Sequence, residues 1–500
     1  MHRKEKSHGV LLLSAVLVII GAGIGTAITV TGVRPVFLWT DILIYVLVVV
    51  VIAVVIYSQG REHLRAPWRH VRRRRPGMAA LVVLGAYVLI GLLDSVHFRE
   101  PVPTENAHHN TAYSVEVLSV FDKIVEPLRT HVEKTYSAPF ATHLYAKEIQ
   151  ELPDGSQQRI YPRLAHGGAH LVRPEVERAA DIAGTAAKGF IEGMVLAAAI
   201  TLLMVTLLAR HQRVSVRTIL QKIRRSETDT PWLVVFTTMG VIIMLAMLLI
   251  ELSAKYHVLG TDKVGQDVLY QALKSIRTGL VIGTLTTLIM LPFAIMLGIM
   301  AGYFRGWIDD VIQYIYTTLN SIPGVLLIAA AILALQVYIA NHPEAFETAA
   351  DRADARLLFL CIILGVTSWT GLCRLLRGES LKMRELEYLQ AAAAFGVGHV
   401  RILNRHILPN VMHIVLIIVV LDFSGLVLAE AVLSYVGVGV DPSMISWGNM
   451  INSARLEMAR EPIVWWSLAA AFIFMFALVL AANIFSDTVR DAFDPRLRTT

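Results

Sequence analysis

The chain has 500 residues, of which 55% are hydrophobic and 17% charged, with a mean hydropathy of +0.58. That balance excludes a string of ordinary soluble domains, because uncharged apolar runs of about 20 residues, the length that crosses a bilayer core, recur along it. The net charge of +6 does not call for a nucleic-acid partner, since the basic residues gather in short segments beside the apolar runs, where membrane topology accounts for them.

In chain order the apolar runs predict an all-α polytopic membrane protein of about ten spans, near 10–31, 36–57, 78–96, 189–209, 232–252, 276–302, 308–339, 356–376, 411–436 and 464–486. Arg3, Lys4 and Lys6 precede the first run and Gly25-Thr-Ala27 ends its first part, as in a signal peptide. Its apolar stretch exceeds the 7–15 residues of a signal core, so an uncleaved anchor is expected. Basic residues then orient the spans. Arg61, Arg65, Arg69 and the run Arg72 to Arg75 place the second short connection inside, with lipid headgroups as the natural contacts of the arginine run. Arg210 to Arg225 do the same before Pro231, as do Arg374, Arg377, Lys382, Arg384, Arg401 and Arg405 for an Ala-rich loop. The three placements agree with even alternation and leave both termini cytoplasmic. The expected division is a three-span extension over 1–96, an external polar domain over 97–188, a fourth span and basic linker over 189–231, and a six-span unit over 232–500.

The polar segment has helix-like stretches at Val115–Tyr136 and Arg173–Lys188, and turn signals at Pro153-Asp-Gly155 and Gly167-Gly168. It carries His97, His108, His109, His131, His143, His166 and His170. His108-His109 and His166-Gly-Gly-Ala-His170 offer imidazoles of the kind that hold zinc or nickel. The glycines oppose helical i,i+4 presentation and no cysteine lies nearby, so a docking surface for a partner is expected there and no metal site. The two cysteines, Cys361 and Cys373, fall on one span roughly 18 Å apart at helical rise. A disulfide between them is excluded, and they read as small apolar residues facing core or lipid.

The most informative stretch is Glu387-Tyr-Leu-Gln-Ala-Ala-Ala-Ala-Phe-Gly396, followed by Arg405-His-Ile-Leu-Pro409. Tyr388 to Ala394 is a strong helix former by propensity, Gly396 and Gly398 break it, and Pro409 suits the first turn of the next span. The spacing predicts two short helices joined at a glycine bend. Ala391 and Ala392 permit close approach to a partner, with Tyr388, Leu389 and Phe395 as anchors.

This stretch resembles the cytoplasmic loop of ABC importer permeases, a Glu-Ala-Ala, three residues, Gly, nine residues, and an ending in Leu-Pro. The resemblance extends through Leu259-Gly-Thr-Asp262, Gly265-Gln-Asp-Val268, Ala301 to Asp309, Ser321-Ile-Pro323, Glu430 to Gly437, Ser446-Trp-Gly448 and Asp487 to Arg498, which ends in Asp494-Pro-Arg-Leu-Arg498. It covers nearly all of 232–500 and is similar to the second permease subunit of the peptide/nickel class. The first 230 residues match nothing in that pattern. The resemblance implies a type I importer permease core of six helices in a bacterial inner membrane. It implies a coupling loop within 377–410 in which Glu387, Tyr388, Gln390, Ala391, Ala392, Phe395, Gly396, His406, Leu408 and Pro409 meet an ABC ATPase. The implied partners are that ATPase, a second homologous permease, a periplasmic or lipid-anchored solute-binding protein and membrane lipids. ATP is used by the partner, and no cofactor is bound directly. Gln390 stands where the family has Glu, and Gln266 where Arg is common; the first removes a charge from the ATPase contact.

The residues read alone agree with a transport subunit that is not an enzyme. Gly260-Thr-Asp-Lys-Val-Gly265-Gln266 has the glycine spacing of a phosphate loop but lacks its Lys. Asp422 and Glu430 lie two helical turns apart in the ninth span, where carboxylates face a cavity or pair within the bundle. Pathway, gate and folding roles all stay open for them. Pro323 falls in a run too long for one straight span and is expected to kink it. The competing class is a membrane sensor or scaffold that uses its external domain while a permease-like half has lost transport; Gln390 and the additional spans favour it.

Overall fold

Backbone groups in a bilayer core must be satisfied within their own segment, and this chain does so with helices. A computed structural model describes residues 33–59, 62–102, 112–151, 157–346 and 348–493. The expected span at 10–31 with its preceding cations, His108 and His109, the turn at 153–155 and the stretch 494–498 lie outside those residues.

The helices are α1 (Trp39–Gln59), α2 (Glu62–Arg73), α3 (Arg75–Asp94), α4 (Val120–Ile124), α5 (Glu126–Thr130), α6 (Pro174–Gln212), α7 (Val216–Arg224) and α8 (Trp232–Ser253). They continue with α9 (Val268–Phe304), α10 (Gly306–Ser321), α11 (Gly324–Asn341), α12 (Ala349–Arg384), α13 (Glu387–Ala394) and α14 (His399–Ile402). A π-helical turn over Leu403–Ile407 leads into α15 (Leu408–Val436), followed by α16 (Trp447–Glu457) and α17 (Trp466–Phe493). Among the described residues eight helical stretches are long and apolar enough to cross a membrane, and α1 adds a shorter apolar stretch, Trp39–Ala53. The chain is an all-α polytopic membrane protein.

Two elements differ from expectation. The run 308–339 is two helices, α10 and α11, so Pro323 separates helices where a kink within one was expected. Ile322 is extended (φ −90°, ψ 127°), because the proline ring clashes with a helical residue before it and its nitrogen donates no hydrogen bond. The stretch 115–136 yields only α4 and α5, since Pro127 cannot continue the preceding turn and opens a new one. Small antiparallel sheets occur in 97–173: β2 (His97–Arg99) and β5 (Leu118–Ser119) joined by β1 (Arg34–Val36) from the N-terminal part in the order β1-β2-β5, β3 (Pro101–Val102) with β4 (Ala112–Tyr113), and the hairpin β6 (Glu148–Glu151) with β7 (Gln157–Ile160). In the first sheet Val36 sits opposite His97 and His97 opposite Ser119. The polar stretch from Arg173 joins the following span in one helix, α6, of 39 residues. At about 1.5 Å per residue it outruns the hydrocarbon core, so its first turns stand outside.

Helices α9 and α12 form the centre and run parallel. Glycine lets their backbones meet: a Cβ on Gly298 would sit 2.7 Å from the Cys373 carbonyl oxygen, and one on Gly302 2.6 Å from that of Arg377. Close approach of small residues replaces the hydrophobic effect as the glue between membrane helices. Cys361 and Cys373 are both buried and free; they face core, which settles the choice between core and lipid. Packing does not follow a boundary at 232. Helix α3 lies against α9 and α17, whereas α8 packs on α6 and on α3, so the N-terminal part supplies a helix to the central cluster.

Charge fastens that helix in place. Lys274 and Arg277, one turn apart on α9, have carboxylates from the N-terminal part as their partners. Lys274 Nζ lies 3.0 Å from Asp94 and 2.6 Å from Asp122, and Arg277 donates to Asp41 Oδ1 at 2.6 Å. Tyr270 and Ser119 hydroxyls donate to Asp122 and Asp94 at 2.8 and 2.6 Å. His97 Nδ1 approaches Asp41 Oδ2 at 2.8 Å, and the Thr40 amide donates to Asp354 on α12 at 3.1 Å. All four carboxylates are buried. The basic segments cluster at the other end of the bundle, where Arg73 pairs with Asp229 at 2.6 Å and Arg74 with Asp491 at 3.6 Å. Removing one partner of a buried pair leaves an uncompensated charge. Asp122→Ala is therefore expected to cost about 3 kcal/mol, read as a lowered unfolding temperature in detergent; an unchanged temperature would deny the pair a structural role.

The polar segment docks onto 255–267 through a second buried cluster. Glu133 accepts from the backbone N–H groups of Ala165, His166 and Gly167 at 2.8, 2.8 and 3.1 Å. His257 stands between Asp267 (2.7 Å) and Glu133 (3.4 Å). Burial alone depresses the His257 imidazole, but its hydrogen bonds and charge attraction to Asp267 and Glu133 prevail and hold it at about 9. Burial raises the Glu133 carboxyl, yet the His257 contact and the three N–H donors bring it down to about 2. The signs set a window. The His257 contribution is complete below its ordinary value of 6.5 and is lost as pH rises through about 9. The Glu133 contribution is complete above its ordinary 4.5 and is lost as pH falls towards about 2. Protection of 133–168 from amide exchange should be greatest between these limits and weaken from neutral to pH 9.5. His257→Gln should abolish that alkaline slope, and a slope that survives would locate the titrating group elsewhere.

Candidate coupling loop and membrane carboxylates

The Ala-rich segment forms the two short helices expected, α13 and α14, around a left-handed Gly396 (φ +73°). The Val397 N–H bonds to the Ala392 carbonyl at 3.1 Å and the Gly396 N–H to that of Ala393 at 3.0 Å. This is the Schellman arrangement, which satisfies the last carbonyls of a helix. Pro409 sits in the first turn of α15. The Gln390 side chain donates to the Glu385 carbonyl at 3.3 Å, and Asn410 bridges the Tyr388 hydroxyl (3.4 Å) and the His406 carbonyl (2.7 Å).

The loop has a buried side and a bare one. Leu389, Ile402 and Ile407 enter one core with Ile299, Leu372 and Leu376 of α9 and α12. Polar ties reinforce that seat. The Tyr303 hydroxyl meets His399 Nδ1 at 2.9 Å, Arg384 donates to the Tyr303 carbonyl at 2.9 Å, and Arg305 pairs with Glu385 at 2.6 Å. Arg377 grips Asp309 with two hydrogen bonds of 2.6 and 2.7 Å, joining α12 to α10. On the bare side Phe395 is 87% and Val400 71% exposed, beside half-exposed Tyr388. Beyond Gly398 opens a shallow cavity of about 950 Å³ lined by His399, Arg401, Asn404, Arg405 and Pro409. An exposed apolar knob thus stands beside a cationic groove, on a loop whose other side is seated in the core of two long helices.

The other singled-out residues are dispersed. Glu430 is buried and accepts from Ser434 (2.7 Å) and Ser446 (3.0 Å), so it clamps α15 to the segment before α16. The Asp422 carboxylate, half-buried near the middle of α15, makes no hydrogen bond or ion pair among the described residues. Pro323 is exposed between α10 and α11. His166 stacks on His131 with centroids 4.6 Å apart, while His170 pairs with Asp181 at 2.9 Å. Among the described residues no three His, Cys, Asp or Glu side chains gather as a metal-binding group. Sequence reasoning missed Asp309 with Arg377 and Tyr303 with His399. Their signal was an acidic and an aromatic residue just where the helices enter the basic face. Glu430→Ala should lower stability by about 2–3 kcal/mol through two unpaired hydroxyls, whereas Asp422→Asn should stay within about 0.5 kcal/mol. Thermal unfolding of both variants checks the contrast, and equal losses would make Asp422 a structural residue too.

Comparison with known proteins meets this geometry. Residues 294–499 match the family of binding-protein-dependent transport system inner membrane components. The glutathione transport system permease protein GsiD of Pectobacterium atrosepticum is 31% identical over 245 residues, covering 49% of this chain and 74% of that protein. The oligopeptide transport system permease protein OppC of Mycobacterium tuberculosis is 32% identical over 243 residues, 49% of this chain and 77% of its own. The dipeptide transport system permease protein DppC of Bacillus subtilis is 28% identical over 242 residues, 48% and 69% of the two chains. With the polytopic helical fold and the loop seated on α9 and α12, these matches establish that the chain belongs to the binding-protein-dependent transport system inner membrane components, the permease subunits of ABC importers.

Proposed function

We propose that this chain is the transmembrane permease subunit of an ATP-driven importer for peptides, forming half of the translocation route and coupling to a separate ATPase through residues 381–409. The observation that carries the reading is the loop, with Phe395 bare, the Gly398–Pro409 groove cationic, and Leu389, Ile402 and Ile407 fixed in the core. The glutathione, oligopeptide and dipeptide permeases among its relatives support peptide cargo.

A second homologous permease completes the route, and a periplasmic or lipid-anchored binding protein delivers the solute. ATP is bound and hydrolysed by the partner, so this chain needs no cofactor. In a bacterial inner membrane the loop, the Arg72–Arg75 run and both termini face the cytoplasm, and the segment 97–173 faces outward. When the ATPase subunits close, they displace α13 and α14. The shared core then carries that displacement into α9, α12 and α15 as a rigid-body rocking.

Gly396→Arg tests the coupling. A Cβ there meets nothing within 4 Å, so the change acts through the left-handed backbone, at about 1–2 kcal/mol, and through new bulk on the docking face. Affinity purification of the wild type should bring down an ATPase and a second permease, and the variant should lose the ATPase. An ATPase retained in full by the variant, or absent from the wild type, would refute the loop as its seat.

A further inference from the structure

At the end of α15 remote from the loop lies a cavity of about 530 Å³, a size typical of small-molecule sites. It is walled by Lys263, Arg455, Arg460 and Asn452, with Tyr136 and Glu457 behind. Lys263, Arg455 and Arg460 are its three cations. Among the described residues none of them has a carboxylate within ion-pair distance. The two guanidiniums rest instead on aromatic faces, Arg455 over Tyr435 at 5.2 Å and Arg460 over Tyr136 at 5.0 Å. Such stacking fixes a guanidinium while leaving its N–H fork available to an anion. The sole carboxylate in the lining, Glu457, is buried and accepts from the Tyr136 hydroxyl at 3.2 Å. Burial raises its carboxyl above the usual range.

Resting on the peptide-importer reading, we propose that this cavity receives the C-terminal carboxylate of the incoming peptide, with Arg455, Arg460 and Lys263 as its ligands. A carboxylate fits because a guanidinium fork pairs with its two oxygens. The Asn452 amide is placed for the peptide backbone, and exposed Leu456 gives a side chain an apolar wall. Tyr136 belongs to the polar segment, so that segment supplies part of the site and holds Arg460 in place. The same cations could instead meet acidic side chains of the docking binding protein. The concave shape and modest volume favour a small ligand, and the test separates the two.

The assembled complex, with its ATPase, second permease and binding protein, is reconstituted in liposomes and given labelled trialanine or trialanine amide. The doubly substituted R455A/R460A is expected to lower trialanine uptake at least about tenfold, the worth of a lost charge-assisted contact. R455K/R460K should recover part of that loss, and amide uptake should fall far less. Co-purification of the other subunits checks assembly, and the single variant Asn452→Ala, expected to weaken uptake of both peptides alike, keeps the test open if the double variant misassembles. Equal loss for acid and amide in R455A/R460A, or loss of binding-protein sedimentation with the liposomes, would overturn the proposal in favour of a docking surface. Unchanged trialanine uptake would overturn it outright. A wild-type complex that moves neither peptide would sink the peptide reading itself and the proposal with it.

Discussion

Two cations one turn apart on the central helix set the terms for the whole assembly. Lys274 and Arg277 lie on α9, partly or wholly out of water, and a charge in that position is tolerated only when paired. Every close partner except Asp354 comes from the first 122 residues: Asp41 on α1, Asp94 at the end of α3 and Asp122 on α4. The N-terminal part, which lies outside the family match, is thereby an electrostatic component of the permease and not an appendage. The same pairing fixes where the polar segment begins, because β2, β5 and α4 carry His97, Ser119 and Asp122 into one cluster.

From that anchored end, α9 and α12 run in parallel to the basic face, their backbones pressed together at Gly298 and Gly302. Two helices so joined share one close-packed interface. The loop is fastened to their far ends by buried apolar residues and by Arg305–Glu385 and Tyr303–His399. Glu430 ties α15 to the opposite face through Ser446. Contacts therefore run without a gap from α13 to the remote end of the bundle. The break at Ile322-Pro323 lies off this line, between the peripheral helices α10 and α11.

What the sequence disclosed was what local chemistry decides. Alanine propensity, the left-handed requirement at Gly396 and the first-turn preference of Pro409 each act within a few residues, so the loop was legible in outline. The apolar runs were legible for the same reason, because span length is a property of contiguous residues. The 308–339 run misled because hydropathy is blind to a backbone break, and Pro323 is compatible with a kink or a separation. Val115–Tyr136 misled because helical propensity yielded to Pro127 and to the pairing of β5 with β2. Ion pairs between distant segments, such as Lys274 with Asp94 and Asp122, left no periodic trace at all. Nor could the sequence show that α3 would lie along the central helices, since every apolar run of this length looks alike.

The order of the charges along the chain has a consequence for biosynthesis. Proteins are made from the N-terminus at about 5–20 residues per second and fold progressively as they emerge. Asp41, Asp94 and Asp122 are therefore already placed at the membrane when Lys274 and Arg277 leave the ribosome. The central helix never has to enter the bilayer with its cations bare; it slides into a receptor of carboxylates prepared by the segments made before it. A rearranged chain that delivered α9 first would present the translocation machinery with two unmatched cations in the first turns of its central span.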